Sequence, residues 1–313
     1  MEIVIADGMS VDRTRRLITE LADGSGMSVQ IVDNEEMTAA AGLNRALAHS
    51  VGEIVIRIDG HCEVDPDYVT ECVKLLESGR AEGVGGPIET IGETARARVI
   101  AIAMSSTFGV GGSAFRTTND REMYTDTVAF PGYSREVIER VGPFNEELIR
   151  DQDDEYNFRI RKAGGRILLS PRIRSRYYSR GTFRSLWRQY YQYGYWKVRV
   201  LQMHPRQMSF RHFVPAGFVI SLLVLAAGSV ISDLILIAFA CTLAVYSVAN
   251  FLSAWRAAHD GKAGIPGIMW SVVILHVSYG SGFIVGVIRF WNKWKKVQGS
   301  LNCRRFLQRG DLR

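Results

Sequence analysis

The chain has no C-x-x-C spacing. Its four cysteines, Cys62, Cys72, Cys241 and Cys303, are scattered, which argues against both a disulfide framework and a cysteine zinc site. Its first residues carry no basic segment followed by an apolar core, so no export signal is read there and the soluble part is expected to stay in the cytoplasm. No internal repeat or low-complexity tract occurs. Acidic side chains are missing altogether from residues 172–211, which hold ten basic ones, whereas residues 1–171 hold 29 acidic against 18 basic. The net charge of +6 therefore describes neither part.

Charge is also missing from three apolar runs in the last third, 213–232, 234–252 and 263–288. Each is long enough for about 30 Å of hydrocarbon, which implies a membrane protein with an acidic head. Only Asp233 separates the first two runs, so they read as a hairpin. The tail, 291–313, carries seven Lys and Arg and one Asp, which the positive-inside rule places in the cytoplasm together with Arg256 and Lys262. A third full crossing would export that tail. The polar cluster His276, Ser278, Tyr279, Gly280, Ser281 and Gly282 instead suggests a bent re-entrant or interfacial segment. Three domains follow: a head at 1–171, a basic and aromatic juxtamembrane segment at 172–212, and a membrane region at 213–313.

Within the head, strand-like runs ("EIVIAD", "MSVQIVD", "GEIVIRID", "AEGVGGPI") alternate with helical ones ("TRRLITEL", "TAAAGLNRALAHS", "PDYVTECVKLLESG"). This alternation predicts an α/β fold with a mostly parallel sheet and a ligand crevice at the carboxyl ends of its strands. Asp7, Asp33 and Asp59 sit at those ends. Asp33 is accounted for as a turn residue. Asp7 and Asp59 are candidate ligand-binding groups.

Three landmarks narrow the reading: "ADGMSVDRT", "GLNRALAHSVGEIVIRIDGH" and "FPGYSREVIERVGPFNEELIRDQDDEYNFRIRKAGGRI". In order and separation they resemble the family 2 glycosyltransferases, and within them the membrane-bound succinoglycan glucosyltransferase type. That type shares Asp-x-His at Asp59–His61, the D-D-E-x-N run and the "YGYWK" segment. The resemblance implies a GT-A fold and transfer of a sugar from a UDP-sugar, UDP-glucose being the expected donor, to a polyprenyl-linked acceptor in exopolysaccharide biosynthesis. It further implies an inner-membrane location, a cytoplasmic head and contact with other assembly proteins.

The implied chemistry needs an anchor for the nucleoside, a divalent cation for the diphosphate and one base for the acceptor hydroxyl. Asp7 suits the nucleoside. Asp59 and His61, two residues apart on an extended turn, suit ribose and metal, and an imidazole donor favours Mn2+ over Mg2+. Asp153 matches the family's catalytic base, although Gln152 replaces the Glu usually before it. Carboxylates at a helix start are also stabilising without catalysis, so Asp154 and Glu155 are read as solvated or paired with Arg159 and Arg161. The glycine-rich "FGVGGSAFR" lacks the Lys-Ser/Thr of a P-loop and reads as a lid near the acceptor. "QYGYW" resembles the Q-x-x-R-W motif of processive members with Tyr195 in place of Arg, so one sugar per acceptor is expected. Gln192 and Trp196 are candidate acceptor-site residues.

Basic and aromatic residues alternate in 172–211, as they do in single-strand nucleic-acid binders. Next to apolar runs they point instead to an interfacial helix facing the lipid bilayer, and no nucleic-acid partner is expected. Because the family's fold has a strand and helix before "ADGMS", the reading also expects a natural start 40 to 50 residues upstream, the length of one strand, one helix and their connections. Two alternatives remain open: a polyprenyl-phosphate sugar synthase, and a catalytically silent scaffold of a polysaccharide assembly complex.

Overall fold

The structure is a computed structural model, and it describes residues 1–258 and 264–296. Lys262, Cys303 and the tail beyond residue 296 lie outside the described residues. The first element, β1 (Glu2–Asp7), is followed by α1 (Thr14–Ser25), β2 (Ser28–Asp33) and α2 (Ala39–His49). Next come β3 (Ile54–Ile56), β4 (Cys62–Val64), α3 (Tyr68–Glu77), β5 (Gly83–Gly86) and β6 (Ile88–Ile91). Three helices, α4 (Ala95–Ser105), α5 (Thr107–Val110) and α6 (Ala114–Thr117), precede β7 (Met123–Thr125) and β8 (Ala129–Ser134). The head closes with α7 (Arg135–Val141), α8 (Gln152–Lys162), β9 (Ile167–Leu169) and β10 (Ser175–Tyr178). Four long helices complete the chain: α9 (Phe183–Met203), α10 (Val214–Gly228), α11 (Asp233–Ala257) and α12 (Ile265–Arg289).

The α/β class stands, but the sheet is mixed rather than mostly parallel. Its five strands run β3-β8-β5-β9-β7, and of the four pairings only β5 with β9 is parallel. Antiparallel β8 enters between β3 and β5 after the chain has passed through α4–α6, a return that strand–helix alternation does not encode. A three-stranded sheet, β4-β10-β6, carries the strand after Asp59. Strand β1 pairs in parallel with β2 in a separate two-stranded sheet. That sheet is tied to the head by Glu2, whose Oε1 accepts hydrogen bonds from the amides of Val51 (2.7 Å) and Gly52 (2.9 Å).

Helix α9 packs one side into the protein. Thr182 caps it by accepting a hydrogen bond from the Ser185 amide at 3.1 Å, and Leu186, Gln189, Tyr190, Lys197, Val198, Arg199 and Val200 along it are buried. Several of the basic side chains in this segment pair with carboxylates of the acidic head. Lys197 pairs with Asp151 and Asp154, Arg199 with Glu147 and, from the following turn, Arg211 with Asp126. The opposite net charges of the two segments are thus a docking code.

Helix α12 runs unbroken for 25 residues, so the bend expected at its polar cluster is absent. Those small and polar residues serve close packing: the ideal Cβ of an alanine at Gly282 or Gly194 would collide with the backbone carbonyl of Tyr191 or Tyr279 across the α9–α12 contact. At Gly286 it would lie 2.6 Å from the Tyr195 carbonyl oxygen. Two helices, Asp233–Ala257 and Ile265–Arg289, are long and apolar enough to cross a membrane, whereas α10 has 15 residues. Half of the α12 window is buried against protein, compared with 6% for α11.

Candidate active site

One cavity of about 520 Å³ lies where the head meets helices α10, α11 and α12. Asp59, His61, Asp151, Asp153 and Asp154 line its polar part, Phe108, Val110 and Phe115 form one wall, and Val214, Phe218, Tyr246 and Leu275 form its apolar end. Asp59 and His61 come from the turn that joins β3 to β4. Asp151 and Asp153 come from the start of α8.

Arg57 connects the two groups. It sits two positions before Asp59 and so projects to the same side of the extended chain. Its Nε and Nη2 donate to Asp59 Oδ1 and Oδ2 at 2.8 and 2.9 Å. Burial opposes the charges of both partners, yet their pairing keeps the Arg57 guanidinium protonated and holds the Asp59 carboxyl below its ordinary range. His61 is pushed down by burial, which the Asp59 charge only partly offsets, so a neutral imidazole is available as a ligand. Its ring meets Tyr177 edge-on with centroids 5.2 Å apart.

At the start of α8 the carboxyls divide into distinct states. Asp153 is raised by burial and then by the neighbouring Asp154 charge, with Arg57 and Lys197 opposing. Asp154 is held low because the Lys197 ammonium outweighs its burial. Asp151 is raised to about 7, chiefly by burial, despite Lys197. Glu155 points away from the cavity, into a buried pair with Arg159 at 2.9 Å and a hydrogen bond with His204 at 2.9 Å. Glu155 is thus paired with Arg159, as its sequence position suggests, whereas Asp154, 19% exposed, is held by Lys197 rather than by Arg159 or Arg161. Carboxyls pushed apart in this way are the pattern expected of acid–base residues.

The structure therefore brings together Asp59, His61 and Asp153. Asp7 does not line this cavity: Ser10 Oγ and N donate to its carboxyl at 2.5 and 2.9 Å, and Arg15 Nε donates at 2.6 Å. Gln192 and Trp196 are also absent from its lining. Gln192 accepts from Arg150 at 3.2 Å, and Trp196 packs on Phe290 with centroids 5.7 Å apart. Residues Tyr190, Tyr193 and Lys197 face the cavity instead, a spacing that marks one side of a helix, while 192 and 196 lie on another. Arg57 carried a sequence signal, as a cation inside a strand two positions from Asp59. Asp151 and Lys197 carried none beyond their charge.

The glycine-rich segment at 108–116 forms part of the cavity wall through α5 and α6. It is fastened to α12 and, through it, to α11: His276 Nε2 donates to the Phe108 carbonyl at 2.8 Å, which leaves Nδ1 to accept from the Tyr246 hydroxyl at 2.9 Å. Among the described residues no three His, Cys, Asp or Glu side chains converge as a complete metal cage. Asp59, whose two oxygens already accept from Arg57, and His61 offer two donors, and a cation there would take its remaining ligands from diphosphate oxygens and water.

The "Glycosyl transferase family 2" model matches residues 1–142. Two curated relatives are similar over most of the chain. The succinoglycan biosynthesis protein ExoA of Rhizobium meliloti is 27% identical over 90% of this chain and 84% of its own length. A Methanococcus voltae dolichyl N-acetyl-glucosaminyl phosphate diacetamido-dideoxy-glucuronosyltransferase is 27% identical over 71% of this chain and 70% of its own. Among solved structures, residues 1–349 of S. aureus TarS align over 93% of this chain and 82% of that one, at 14% identity and a TM-score of 0.47. The motifs, the mixed α/β head and the family match agree: residues 1–142 form a domain similar to the family 2 glycosyltransferases, and the chain is a glycosyltransferase.

Proposed function

We propose that the chain is an inverting enzyme that adds one sugar from a UDP-sugar, with UDP-glucose as the expected donor, to a saccharide carried on a polyprenyl diphosphate at the cytoplasmic face of an inner membrane. The observation that carries this reading is the cavity itself, which runs from Asp59, His61 and Asp153 to apolar side chains of α10, α11 and α12. A lipid-linked acceptor needs both ends. The dolichyl-linked acceptor named for the M. voltae relative supports a lipid-linked acceptor, and the succinoglycan biosynthesis named for the R. meliloti relative supports a role in polysaccharide assembly.

In this reading Asp59 and His61 hold a divalent cation, which when bound neutralises the diphosphate leaving group. Asp153 takes the proton from the acceptor hydroxyl. That oxygen bonds to the anomeric carbon as the bond to the diphosphate breaks on the opposite face, releasing the nucleoside diphosphate and inverting the centre. Arg57, between Asp59 and Asp153, keeps Asp59 ionised and limits how far burial raises Asp153. The aromatic rings of Phe115, Tyr177, Tyr190 and Tyr193 supply flat apolar faces for sugar or base.

The test is transfer of radiolabel from a panel of UDP-sugars into lipid extract by membranes containing the chain. Metal-dependent incorporation that is lost in Asp153→Asn is the expected result. No incorporation by folded protein with native lipid present would overturn the reading.

A further inference from the structure

The base does not exhaust the acidic cluster. Asp151 stands at the head of α8 with a left-handed backbone, φ 62° and ψ 20°, and its side chain makes no capping hydrogen bond. It is a non-glycine residue in a region that favours glycine, and the helix gains no cap from it. Its side chain is 8% exposed, with Oδ1 at 3.1 Å from Lys197 Nζ. Its Oδ2 is buried and has no hydrogen-bond partner among the described residues. Asp151 lines the cavity that contains Asp153. Strain and an unsatisfied buried acceptor at one residue are features that persist where a ligand completes the site.

The chemistry of the missing partner follows from its neighbours. A second cation is disfavoured, because Lys197 already supplies the positive charge to Asp151 and Asp154. Asp151 pairs with Lys197 at 3.1 Å and its charge interacts with Asp154 and Asp153, so it belongs with the Lys197 side of the cluster. Resting on the functional reading above, we infer that Asp151 is a specificity-determining residue whose Oδ2 accepts a hydrogen bond from a hydroxyl of the acceptor sugar, beside the hydroxyl that Asp153 deprotonates. Lys197 holds the other oxygen and so fixes the direction of the carboxyl. A site built to bond a hydroxyl strongly rejects the analogue that lacks it, since its own buried group is then left unpaired.

The test uses the full chain with UDP-sugar donor and decyl glycosides of glucose, galactose and N-acetylglucosamine, each paired with its monodeoxy analogues. The wild type is expected to prefer the parent over one deoxy analogue by about 100-fold or more in kcat/KM. In Asp151→Asn, which keeps the shape but converts an acceptor into a donor, that ratio is expected to fall below about tenfold. Asp151→Gly is expected to show the same collapse, since glycine adopts the left-handed backbone freely and Asp154 still pairs with Lys197. Wild-type ratios for every analogue in both variants, or an equal loss of kcat on parent and deoxy substrates alike, would overturn the inference while leaving the transferase reading intact. Failure of the wild type to transfer to glycosides and to native lipid would overturn both.

Discussion

Lys197 of α9 lies 3.1 Å from Asp151 Oδ1 at the head of α8 and also pairs with Asp154. Its side chain is 5% exposed, so a juxtamembrane helix supplies the ammonium that balances two cavity carboxylates. Removing one partner of a buried ion pair leaves an uncompensated charge. Lys197→Met is expected to destabilise the protein by about 3–5 kcal/mol, read as a lowered Tm. Asp154→Asn in the same chain is expected to restore part of it.

Asp153→Asn removes the base and keeps the side-chain volume. Transfer is expected to fall by about 10²- to 10⁴-fold with Tm within a few degrees of wild type, measured by radiolabel incorporation and thermal denaturation in detergent. Retained transfer would assign proton removal elsewhere in the cluster.

Chelation is expected to abolish transfer, and Mn2+ is expected to restore it at lower concentration than Mg2+, because one of the two protein donors is an imidazole. His61→Asp should shift the preference toward Mg2+. Equal transfer with and without chelator would remove the cation from Asp59 and His61.

His212, in the turn before α10, is pushed down to about 4 by burial and then by Lys197. The unfolded chain, with its imidazole near 6.5, then binds a proton that the folded chain refuses. Stability from this group is complete above about pH 6.5 and is lost as pH falls toward 4, by up to about 3 kcal/mol. Denaturation midpoints between pH 7 and 4 should fall less steeply for His212→Gln than for wild type.

Gly282→Ala and Gly194→Ala are each expected to cost about 1–3 kcal/mol through overpacking, because the added methyl meets backbone carbonyls rather than movable side chains. Gly217→Ala in α10, where nothing lies within 4 Å of the added carbon, is the control and should leave Tm unchanged or slightly raised.

Much of the site was legible in local pattern. Asp59 and His61 follow a strand-like run, Asp153 falls within a recognisable acidic helix start, and the structure places all three around one cavity. The misplacement of Gln192 and Trp196 has a geometric cause. Once 183–203 is a helix, residues 190, 193 and 197 share a face and 192 and 196 turn away, but which face meets the head depends on where α12 packs. Asp7 shows the reverse case: its strand end was read correctly, yet Ser10 and Arg15 occupy its carboxyl.

What the sequence determined by itself is whatever depends on periodicity, charge and short spacing: an acidic α/β head, a basic segment, apolar helices, and the residues that resemble a family 2 transferase. Only the tertiary structure decided where those parts meet. It set antiparallel β8 between β3 and β5, drew α9 inside to neutralise the head, and used the small residues of α12 for close helix packing instead of a bend. It also left Asp151 strained and half-satisfied beside Asp153. Each of these depends on contacts between residues far apart in the chain, Lys197 with Asp151 or Gly282 with Tyr191, and no local pattern carries the free energy that selects them.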